Sequence, residues 1–367
     1  MLHVARSVSC QTMDYGQGTM LSIRQATIAD REELIGPLSK GVYDGNDYFP
    51  ARVDRYFADQ TRGTKHMLVA CDATSQKILG LDVVCLYDDG ETVMLQALRV
   101  RPEARGRGVA KALSEAVDAY VARVLLPTLH PPRRIRVITS GTNPSIGLFE
   151  KRGFRRMQRY GLCGASISAG SWESSGHQHE LERPRAHGDK ISQLREMHFR
   201  AEDEGDILQY LPRDNPYLLF DWLVELPTVA ALERLESTGV RFFVRGDRSV
   251  KQNNNVQDRD AQPVSPSLSF GGYTDWIDGT QLYCTVFCAG DMFAFCDHVR
   301  CWVRCAVGGA RPISKLVFFY DRSLDFPQTE GAATARNVVE EALGSYKDAW
   351  IPFFEEADGV VVMEKPF

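Results

Sequence analysis

The sequence predicts an α/β fold in which a mixed and mostly antiparallel sheet is flanked by helices. Two apolar segments rich in β-branched residues, 78–87 and 92–100, are joined by Asp88-Asp89-Gly90, a tight-turn sequence typical of an antiparallel hairpin. Residues 109–124 follow with apolar side chains at helical spacing, so one face of that helix can lie against a sheet. Strand and helix patterns alternate again in the second half of the chain, which also favours the α/β class.

The remaining elements follow from the same patterns. A strand at 21–26 precedes Thr27-Ile28-Ala29-Asp30, which resembles a capping box at the start of a helix. Gly153 marks the expected end of a helix. The first half is further predicted to contain strands at 66–72, 134–140 and 154–160, a short helix ending near residue 59 and a helix at 143–152. The second half is predicted to contain strands at 240–245, 282–288, 316–320 and 360–364, and helices at 227–238, 291–306 and 334–343.

Length and composition limit the classes of function. The chain has 367 residues, of which 44% are hydrophobic, so we expect two domains with sizeable cores. A formal net charge of −5 provides no overall basic field for nucleic acid. No segment approaches the ~18 consecutive apolar residues of a membrane span, and the start of the chain lacks the apolar core of a secretory signal. We expect a cytoplasmic protein with a small-molecule partner, no nucleic acid and no membrane; its oligomeric state is not predicted.

The nine cysteines are predicted to be reduced thiols. Their number is odd and most lie in apolar contexts, which is typical of buried free cysteines. Five of them and His298 fall within residues 284–305, where a zinc site is conceivable. That segment has no Cys-x-x-Cys pair, and its helix carries a core face, so we predict no metal.

The junction at residues 100–110 carries the strongest chemical signal. Gly106 and Gly108 have no Cβ atom at the predicted start of a helix, so ligand oxygens can approach the N–H groups of its first turn. Arg105 and Arg107 add guanidinium groups that suit phosphate. Such a turn also occurs simply to let a helix pack closely on a strand. The segment lacks Gly-Lys-Ser/Thr and the glycines of the dinucleotide motif.

Two motifs, in the right order and at the right distance, resemble those of the GNAT acetyltransferase superfamily. Arg105-x-x-Gly108-x-Ala110 is similar to its acetyl-coenzyme A loop, and residues 143–154 (NPSIGLFEKRGF) are similar to its second motif. The resemblance covers about residues 21–165 and implies a GNAT fold, acetyl-CoA as co-substrate and N-acetyltransferase activity. It implies that the coenzyme contacts Leu98, Val100, Arg105, Gly106, Arg107, Gly108, Val109, Ala110 and Asn143.

Three further segments, 41–52 (GVYDGNDYFPAR), 90–93 and 98–100, together resemble the vertebrate histidine N-acetyltransferase family. Asp221-Trp222 and residues 235–240 are more loosely similar to the opening of that family's second half. The resemblance implies that the second half of this chain is a degenerate GNAT-like α/β domain without a cofactor. It also implies free L-histidine as the leading acceptor, acetylated on its α-amino group.

These observations together give a predicted domain organisation. From residue 161 the composition becomes rich in Gly, Ser and His, as expected of a linker. A second polar segment lies within the second half and is predicted to be a mobile insertion. The predicted parts are an N-terminal tail at 1–20, the GNAT acetyltransferase domain at 21–165, a flexible linker at 166–190, and a GNAT-like domain at 191–367 with its insertion at 246–267.

The acetyl transfer that the resemblance implies needs a group that takes a proton from the amine. Glu91, Asp47 and Tyr48 are the candidates. Glu91 is also consistent with a plain hairpin turn, and Asp47 with capping of a local turn. The second GNAT motif commonly has a tyrosine that protonates the leaving thiol, whereas this chain has Phe149. Another donor, water, or departure as the thiolate must replace it.

Acceptor binding is predicted at Tyr43, Asp47, Tyr48, Arg52 and Arg99. The tyrosines offer rings for a flat side chain, and either arginine suits an α-carboxylate, although each arginine is also consistent with a surface ion pair. Two alternatives stay open at this point. The acceptor is instead a peptide or protein amine or a polyamine, or the protein is a catalytically inactive module that binds coenzyme A.

Overall fold

The structure is a computed structural model that describes residues 11–14, 20–40, 42, 47–128, 131–167, 194–198, 210–211, 217–246, 266–276, 279–288, 291–308, 312–321, 335–343, 347–350 and 359–367. Its strands are β1 (Gln11–Asp14), β2 (Met20–Gln25), β3 (Lys65–Asp72), β4 (Ile78–Tyr87), β5 (Thr92–Val100), β6 (Arg134–Ser140), β7 (Arg155–Ile167), β8 (Leu194–Met197), β9 (Leu218–Phe220), β10 (Leu223–Glu225), β11 (Arg241–Arg245), β12 (Ser267–Trp276), β13 (Gly279–Phe287), β14 (Lys315–Asp321), β15 (Lys347–Trp350) and β16 (Val360–Pro366). Its helices are α1 (Arg31–Ile35), α2 (Phe49–Thr61), α3 (Val109–Tyr120), α4 (Ile146–Lys151), α5 (Val229–Ser237), α6 (Met292–Gly308) and α7 (Ala335–Leu343).

Strands from both halves of the chain form one continuous sheet. Its order is β1-β2-β3-β4-β5-β6-β16-β7-β14-β13-β12-β11-β8, with β15 also paired to β7. The pairs β5/β6 and β13/β14 are parallel and the other pairs along this path are antiparallel. Strands β9 and β10 form a separate hairpin. The predicted mixed, mostly antiparallel sheet is therefore confirmed.

The last strand of the chain, β16, lies between β6 and β7 of the first half. Val362 faces Ile138 on one side and Gln158 on the other. Gly359 enters the strand with a φ of +60°, and a Cβ atom there would lie 2.0 Å from the carbonyl oxygen of Tyr160. The predicted division between residues 165 and 191 stays a prediction, and the halves on either side of it share one sheet.

A buried arginine ties these parts together. Arg136 of β6 is fully buried, with its guanidinium 2.6 Å from a carboxylate oxygen of Glu364 and 3.0 Å from one of Asp88. It also donates to the carbonyl oxygen of Val224 at 2.7 Å and lies over the ring of Tyr217 at 4.8 Å. Buried charges are stable only when they are paired in this way, so these contacts fix the β9/β10 hairpin against the first half.

Helices cover both sides of the first half of the sheet. On one side, here called the α3 face, Val109, Leu113 and Val117 of α3 share an apolar cluster with Phe149 of α4. On the other, the α2 face, buried side chains of α2 share a larger cluster with residues of the second half. A third cluster lies beneath α6 and α7. Among the described residues, no helix combines the length and the apolarity that crossing a membrane requires.

Several predicted elements are confirmed and others need correction. β4, β5 and β6 have the predicted bounds. β7 continues to Ile167, past the predicted start of the linker composition at residue 161, because its distal part pairs with β14 and β15. β12 was not predicted. The rest of the linker prediction and most of the 246–267 insertion prediction lie outside the described residues.

Candidate active site

The parallel strands β5 and β6 separate partway along their length. Their pairing runs from Thr92 opposite Arg134 to Leu95 opposite Val137, and no further pair joins them within the described chain, although both strands continue. Because β6 pairs with β16 on its other side, the edge of β5 beyond Leu95 faces a gap. Backbone N–H and C=O groups on that edge are strong hydrogen-bonding groups that a ligand can use.

A β-bulge in β5 adjoins the gap. The register of β5 against β4 shifts so that Ala97 and Leu98 together lie opposite the single residue Asp82. Ala97 has a φ of +57°, a conformation that costs a non-glycine residue about 1–3 kcal/mol. Arg99 supports it by donating from Nε to the carbonyl oxygen of Ala97 at 3.1 Å. Such bulges are common next to active sites, where they redirect backbone groups.

The predicted phosphate loop has the conformation that its glycines require. Gly106 and Gly108 have φ values of +77° and +79°, and Gly108 is the residue that caps the start of α3. Arg105 and Arg107 are exposed beside it, whereas Arg101 is buried behind the loop and its guanidinium binds a carboxylate of α1 at 2.5 Å. The first N–H groups of α3 therefore have two exposed guanidinium groups beside them, an arrangement that favours an anion.

A cavity of about 290 Å³ lies at the gap between β5 and β6. Its walls come from both faces of the sheet and from both halves of the chain. The lining residues are Tyr48, Arg52, Tyr56, Asp82, Leu95, Gln96, Ala97, Leu98, Val137, Ile138, Thr139, Ser140, Thr142, Asn143, Pro144, Ser145, Phe149, Asp221, Trp222, Leu223 and Trp276.

On the α3 face the wall is formed by the start of α4. Asn143 accepts a hydrogen bond from the backbone N–H of Ser145 at 2.8 Å and so turns the chain into the helix. Phe149 is buried and packs edge-on against Phe154, with ring centroids 5.4 Å apart. This wall supplies shape, and the phenyl ring of Phe149 supplies no proton.

Asp82 is an ionisable lining residue that the sequence analysis missed. Its side chain is buried, and its carboxylate accepts a hydrogen bond from the N–H of Val83 at 2.9 Å. Burial raises the pKa of Asp82 to about 7, although the guanidinium of Arg152 acts in the opposite direction. A single carboxylate inside an otherwise apolar strand at 78–87 was a signal that sequence reasoning had available.

On the α2 face the cavity contains a buried ion pair between the two halves of the chain. Arg52 of α2 lies 2.8 Å from a carboxylate oxygen of Asp221 in the β9/β10 turn. The Arg52 guanidinium also lies over the rings of Tyr48 and Trp276, 5.2 and 5.6 Å from their centroids. Burial raises the pKa of Asp221, while Arg52 lowers it. The cavity thus presents a cation and an anion side by side within aromatic walls.

The turn that carries Asp221 is strained. Phe220 pairs with Leu223, so Asp221 and Trp222 form a two-residue hairpin loop with φ values of +51° and +62°. Glycine and asparagine are the usual residues in such a loop, and a bulky Trp222 at positive φ is an outlier. Strain of this kind concentrates at functional sites. No sequence signal identified Trp276, which lies more than fifty residues further along the chain.

Several predicted site residues have other contacts. Asp47 accepts from the N–H of Phe49 at 3.0 Å at the start of α2 and forms a buried ion pair with Arg99. Glu91 is part-exposed at the far end of β5, 3.4 Å from the Arg133 guanidinium. None of these side chains is among the lining residues of the described cavity. Their catalytic or substrate-binding roles stay predictions.

Tyr43 lies outside the described residues, whereas Tyr48, Arg52, Leu98 and Asn143 line the cavity. The eight cysteines that the structure describes are free thiols. Among the residues that the structure describes, no group of three or more His, Cys, Asp and Glu side chains is placed to hold a metal ion.

Comparison with known proteins agrees with this geometry. Residues 63–156, which include β4, the bulged β5, the predicted phosphate loop, α3 and α4, match the family described as acetyltransferase (GNAT) domain. The chain contains a GNAT acetyltransferase domain. The sequence resemblance to the superfamily is thereby confirmed, and so is the GNAT fold of this region.

Named relatives match parts of the chain. A histidine N-acetyltransferase of Oreochromis niloticus is 37% identical over 93 residues, which cover 25% of this chain and 26% of the relative. Human "Probable N-acetyltransferase 16" is 30% identical over 137 residues, covering 37% of this chain and 34% of the relative. The matched region therefore spans only about a quarter to a third of each relative.

One solved structure is similar over nearly the whole chain. It is a crystal structure from Thermoplasma acidophilum that was assigned as an acetyltransferase, with a TM-score of 0.50 at 13% sequence identity. The similarity covers 94% of this chain and 99% of that protein. At this identity the comparison concerns fold alone, and it shows that the arrangement of both halves occurs elsewhere.

Proposed function

We propose that this protein is an N-acetyltransferase that moves an acetyl group from acetyl-CoA to the α-amino group of a free amino acid, with L-histidine as the leading acceptor. One observation carries the proposal. The cavity at the β5/β6 gap has an apolar wall on the α3 face, where Phe149 shares a cluster with α3, and an Arg52–Asp221 pair within aromatic walls on the α2 face.

The α3 face suits the coenzyme. The loop at 105–108 and the first turn of α3 offer N–H groups and guanidinium groups to a pyrophosphate. Beyond Leu95, the unpaired edge of β5 offers backbone groups along the line from that loop to the bulge. An extended chain of amides and methylenes such as pantetheine can pair with such an edge much as a strand does. The acetyl group would then lie at the bulge.

The α2 face suits a small zwitterion. A free amino acid has an ammonium and a carboxylate on one carbon, and Arg52 and Asp221 place the complementary charges within 2.8 Å of each other. The rings of Tyr48, Trp222 and Trp276 in the same wall can stack on a flat side chain such as imidazole. A polyamine has no carboxylate for Arg52. Among the amino acids, we propose histidine because three relatives are named histidine N-acetyltransferase.

The chemistry required of the protein is positioning, charge stabilisation and proton removal. The backbone N–H groups of the Ala97–Leu98 bulge are the proposed donors to the oxygen that becomes negative as the amine attacks. Asp221, whose pKa is raised by burial, can accept a proton from the acceptor ammonium and hold the amine towards the gap. Arg52 fixes the carboxylate, which orients the amine for attack.

The proposal is tested by a competition assay with acetyl-CoA. Free histidine, other free amino acids, short peptides and spermidine are supplied at equal concentration, and acetylated products are identified by mass spectrometry. We expect Nα-acetylhistidine as the main product. Preference for peptides or spermidine over every free amino acid would contradict the acceptor assignment, and coenzyme A binding without transfer to any amine would contradict the enzymatic assignment.

Histamine provides a matched control within this assay. It keeps the imidazole and an amine but lacks the carboxylate that Arg52 is proposed to bind. We expect kcat/KM for histamine to be at least about tenfold lower than for histidine, because the buried guanidinium would lose a charged partner. Equal use of the two compounds would contradict the carboxylate contact.

A further inference from the structure

Asp82 reaches the cavity from the α3 face. Side chains alternate along β4, and Leu81 and Val83 belong to the apolar cluster of the α2 face. Val84, on the same side of the strand as Asp82, belongs to the cluster of the α3 face. Asp82 therefore lines the cavity on the side where α4 and Phe149 form the wall.

Asp82 forms no ion pair among the described contacts, because the charged groups near it pair with one another. Asp118 of α3 lies 3.0 Å from Arg152 and 3.1 Å from Lys365, so these neighbours bind one another. His66 on the adjacent strand β3 is neutral at physiological pH, because burial lowers its pKa to about 4. The Asp82 carboxyl group, with its pKa raised to about 7, is thus substantially protonated near neutral pH.

We infer that the Asp82 carboxyl group protonates the sulfur of coenzyme A as it leaves, which is the task that the Phe149 side chain cannot perform. This inference rests on the proposed acetyl transfer. Asp82 is the only ionisable side chain among the described lining residues of the α3 face. The hydroxyl groups of that wall are far weaker acids than a carboxylic acid.

The step balances without any added oxidant or metal. The new C–N bond replaces the C–S bond, sulfur keeps the electron pair of the broken bond, and the proton of Asp82 passes to sulfur. The acceptor ammonium loses two protons in forming the amide. One of them restores the Asp82 carboxyl group through solvent, and the other is released.

The kinetic test uses Asp82→Asn, which keeps the shape of the side chain but cannot donate an acidic proton. We expect kcat at pH 7 to fall at least about tenfold, with unchanged coenzyme A affinity by calorimetry. In the wild type, kcat should decrease as pH rises through about 7, because the acid becomes deprotonated, and the variant should lack this decrease.

Two further variants separate this role from a structural one. Asp118→Asn removes a carboxylate that lies close to the same arginine but outside the described cavity. Because Asp118 raises the pKa of Asp82, this variant should show the decrease in kcat at lower pH than the wild type while keeping the wild-type kcat on the acidic side of that decrease. Adding Phe149→Tyr to Asp82→Asn supplies a phenolic donor and should restore at least about fivefold of the lost rate. A kcat for Asp82→Asn within twofold of wild type, or an equal loss in Asp118→Asn on the acidic side of its pH profile, would overturn the inference.

A binding measurement gives a readout that needs no turnover. Coenzyme A thiol is titrated in complex with the protein by the ultraviolet absorbance of its thiolate. Above pH 7 the Asp82 carboxylate should repel a nearby thiolate, so Asp82→Asn should lower the pKa of the bound thiol by about one unit. Identical titrations would overturn the inference. Coenzyme A binding and a thiol shift, without acetylation of any amine by the wild type, would refute the proposed function and leave the placement of Asp82 beside the sulfur supported.

Discussion

The two faces of the cavity differ in how the sequence builds them. The α3 face comes from contiguous motifs, in which the loop at 105–108 and the start of α4 are each a few residues long. The α2 face is assembled from α2, the strained β9/β10 turn and the end of β12, segments that lie far apart in the chain. Local turn chemistry fixes the first face, whereas tertiary packing fixes the second.

The two faces also differ in how general their proposed chemistry is. A phosphate loop needs only backbone N–H groups and glycines, so unrelated acceptor sites can be combined with the same α3 face. The α2 face, where the acceptor is proposed to bind, depends on a buried ion pair and on aromatic rings to which the second half of the chain contributes. Under the proposed function, the second half of the chain therefore determines which amine is acetylated.

Damage to the α3 face alone should have the largest effect. Gly108→Asp forces a side chain into a backbone with φ of +79° and places a carboxylate where the pyrophosphate is expected. We expect coenzyme A affinity by calorimetry to fall about a thousandfold, or ~4 kcal/mol.

Gly153→Asp is the matched control for this variant. Gly153 has a comparable φ of +85° at the end of α4, where an added Cβ meets open space. It should lower stability in the same way while leaving coenzyme A affinity within about twofold of the wild type. Equal losses of affinity in both variants would show that backbone strain, not the anion site, explains the result.

Damage to the α2 face alone should be intermediate in size and confined to the acceptor. Asp221→Asn leaves Arg52 buried without its partner, which costs about 3–5 kcal/mol in comparable buried pairs. Arg52→Met combined with Asp221→Asn removes both charges and should fold better. We expect this double variant to raise the KM for histidine about 10- to 100-fold while coenzyme A affinity stays unchanged. An unchanged KM for histidine in a folded double variant would contradict the assignment of the acceptor to the α2 face.

More of the α3 face than of the α2 face could be predicted from the sequence. β4, β5, β6 and the glycine loop were predictable, because strand periodicity and positive φ at a helix start leave strong local signals. The insertion of β16 between β6 and β7 was not, because strand order depends on long-range pairing. Asp47 and Arg99 were plausible site residues by type, yet they bind each other, which only their placement in space reveals.

A smaller effect, on the pH dependence of stability, is expected from Asp82→Asn on the α3 face. Its pKa is about 7 when folded and ~3.9 when unfolded, so the wild type loses stability as pH rises from about 4 to 7. Asp82→Asn removes that loss. Its Tm should match the wild type near pH 4 and exceed it by about 3 °C or more at pH 8. A difference in Tm that does not change with pH would contradict the buried, protonated state.

The smallest effect is expected from Phe149→Tyr in the otherwise unchanged protein. Because a thiolate is already a fair leaving group and Asp82 is proposed to protonate it, an added phenol should change kcat by less than about tenfold. A gain of several orders of magnitude would mean that the natural chain lacks an effective acid, and would favour a coenzyme-binding module over an enzyme.

The proposed reaction requires the coenzyme on the α3 face and the amino acid on the α2 face to meet through the β5/β6 gap. The decisive measurement is calorimetry that compares coenzyme A alone with a conjugate in which the sulfur of coenzyme A is joined through an acetyl bridge to the α-nitrogen of histidine. We expect the conjugate to bind at least about a hundredfold more tightly, or ~3 kcal/mol. This gain should disappear in the Arg52→Met, Asp221→Asn double variant. A conjugate that binds no more tightly than coenzyme A would show that the coenzyme and the amino acid do not meet at this gap.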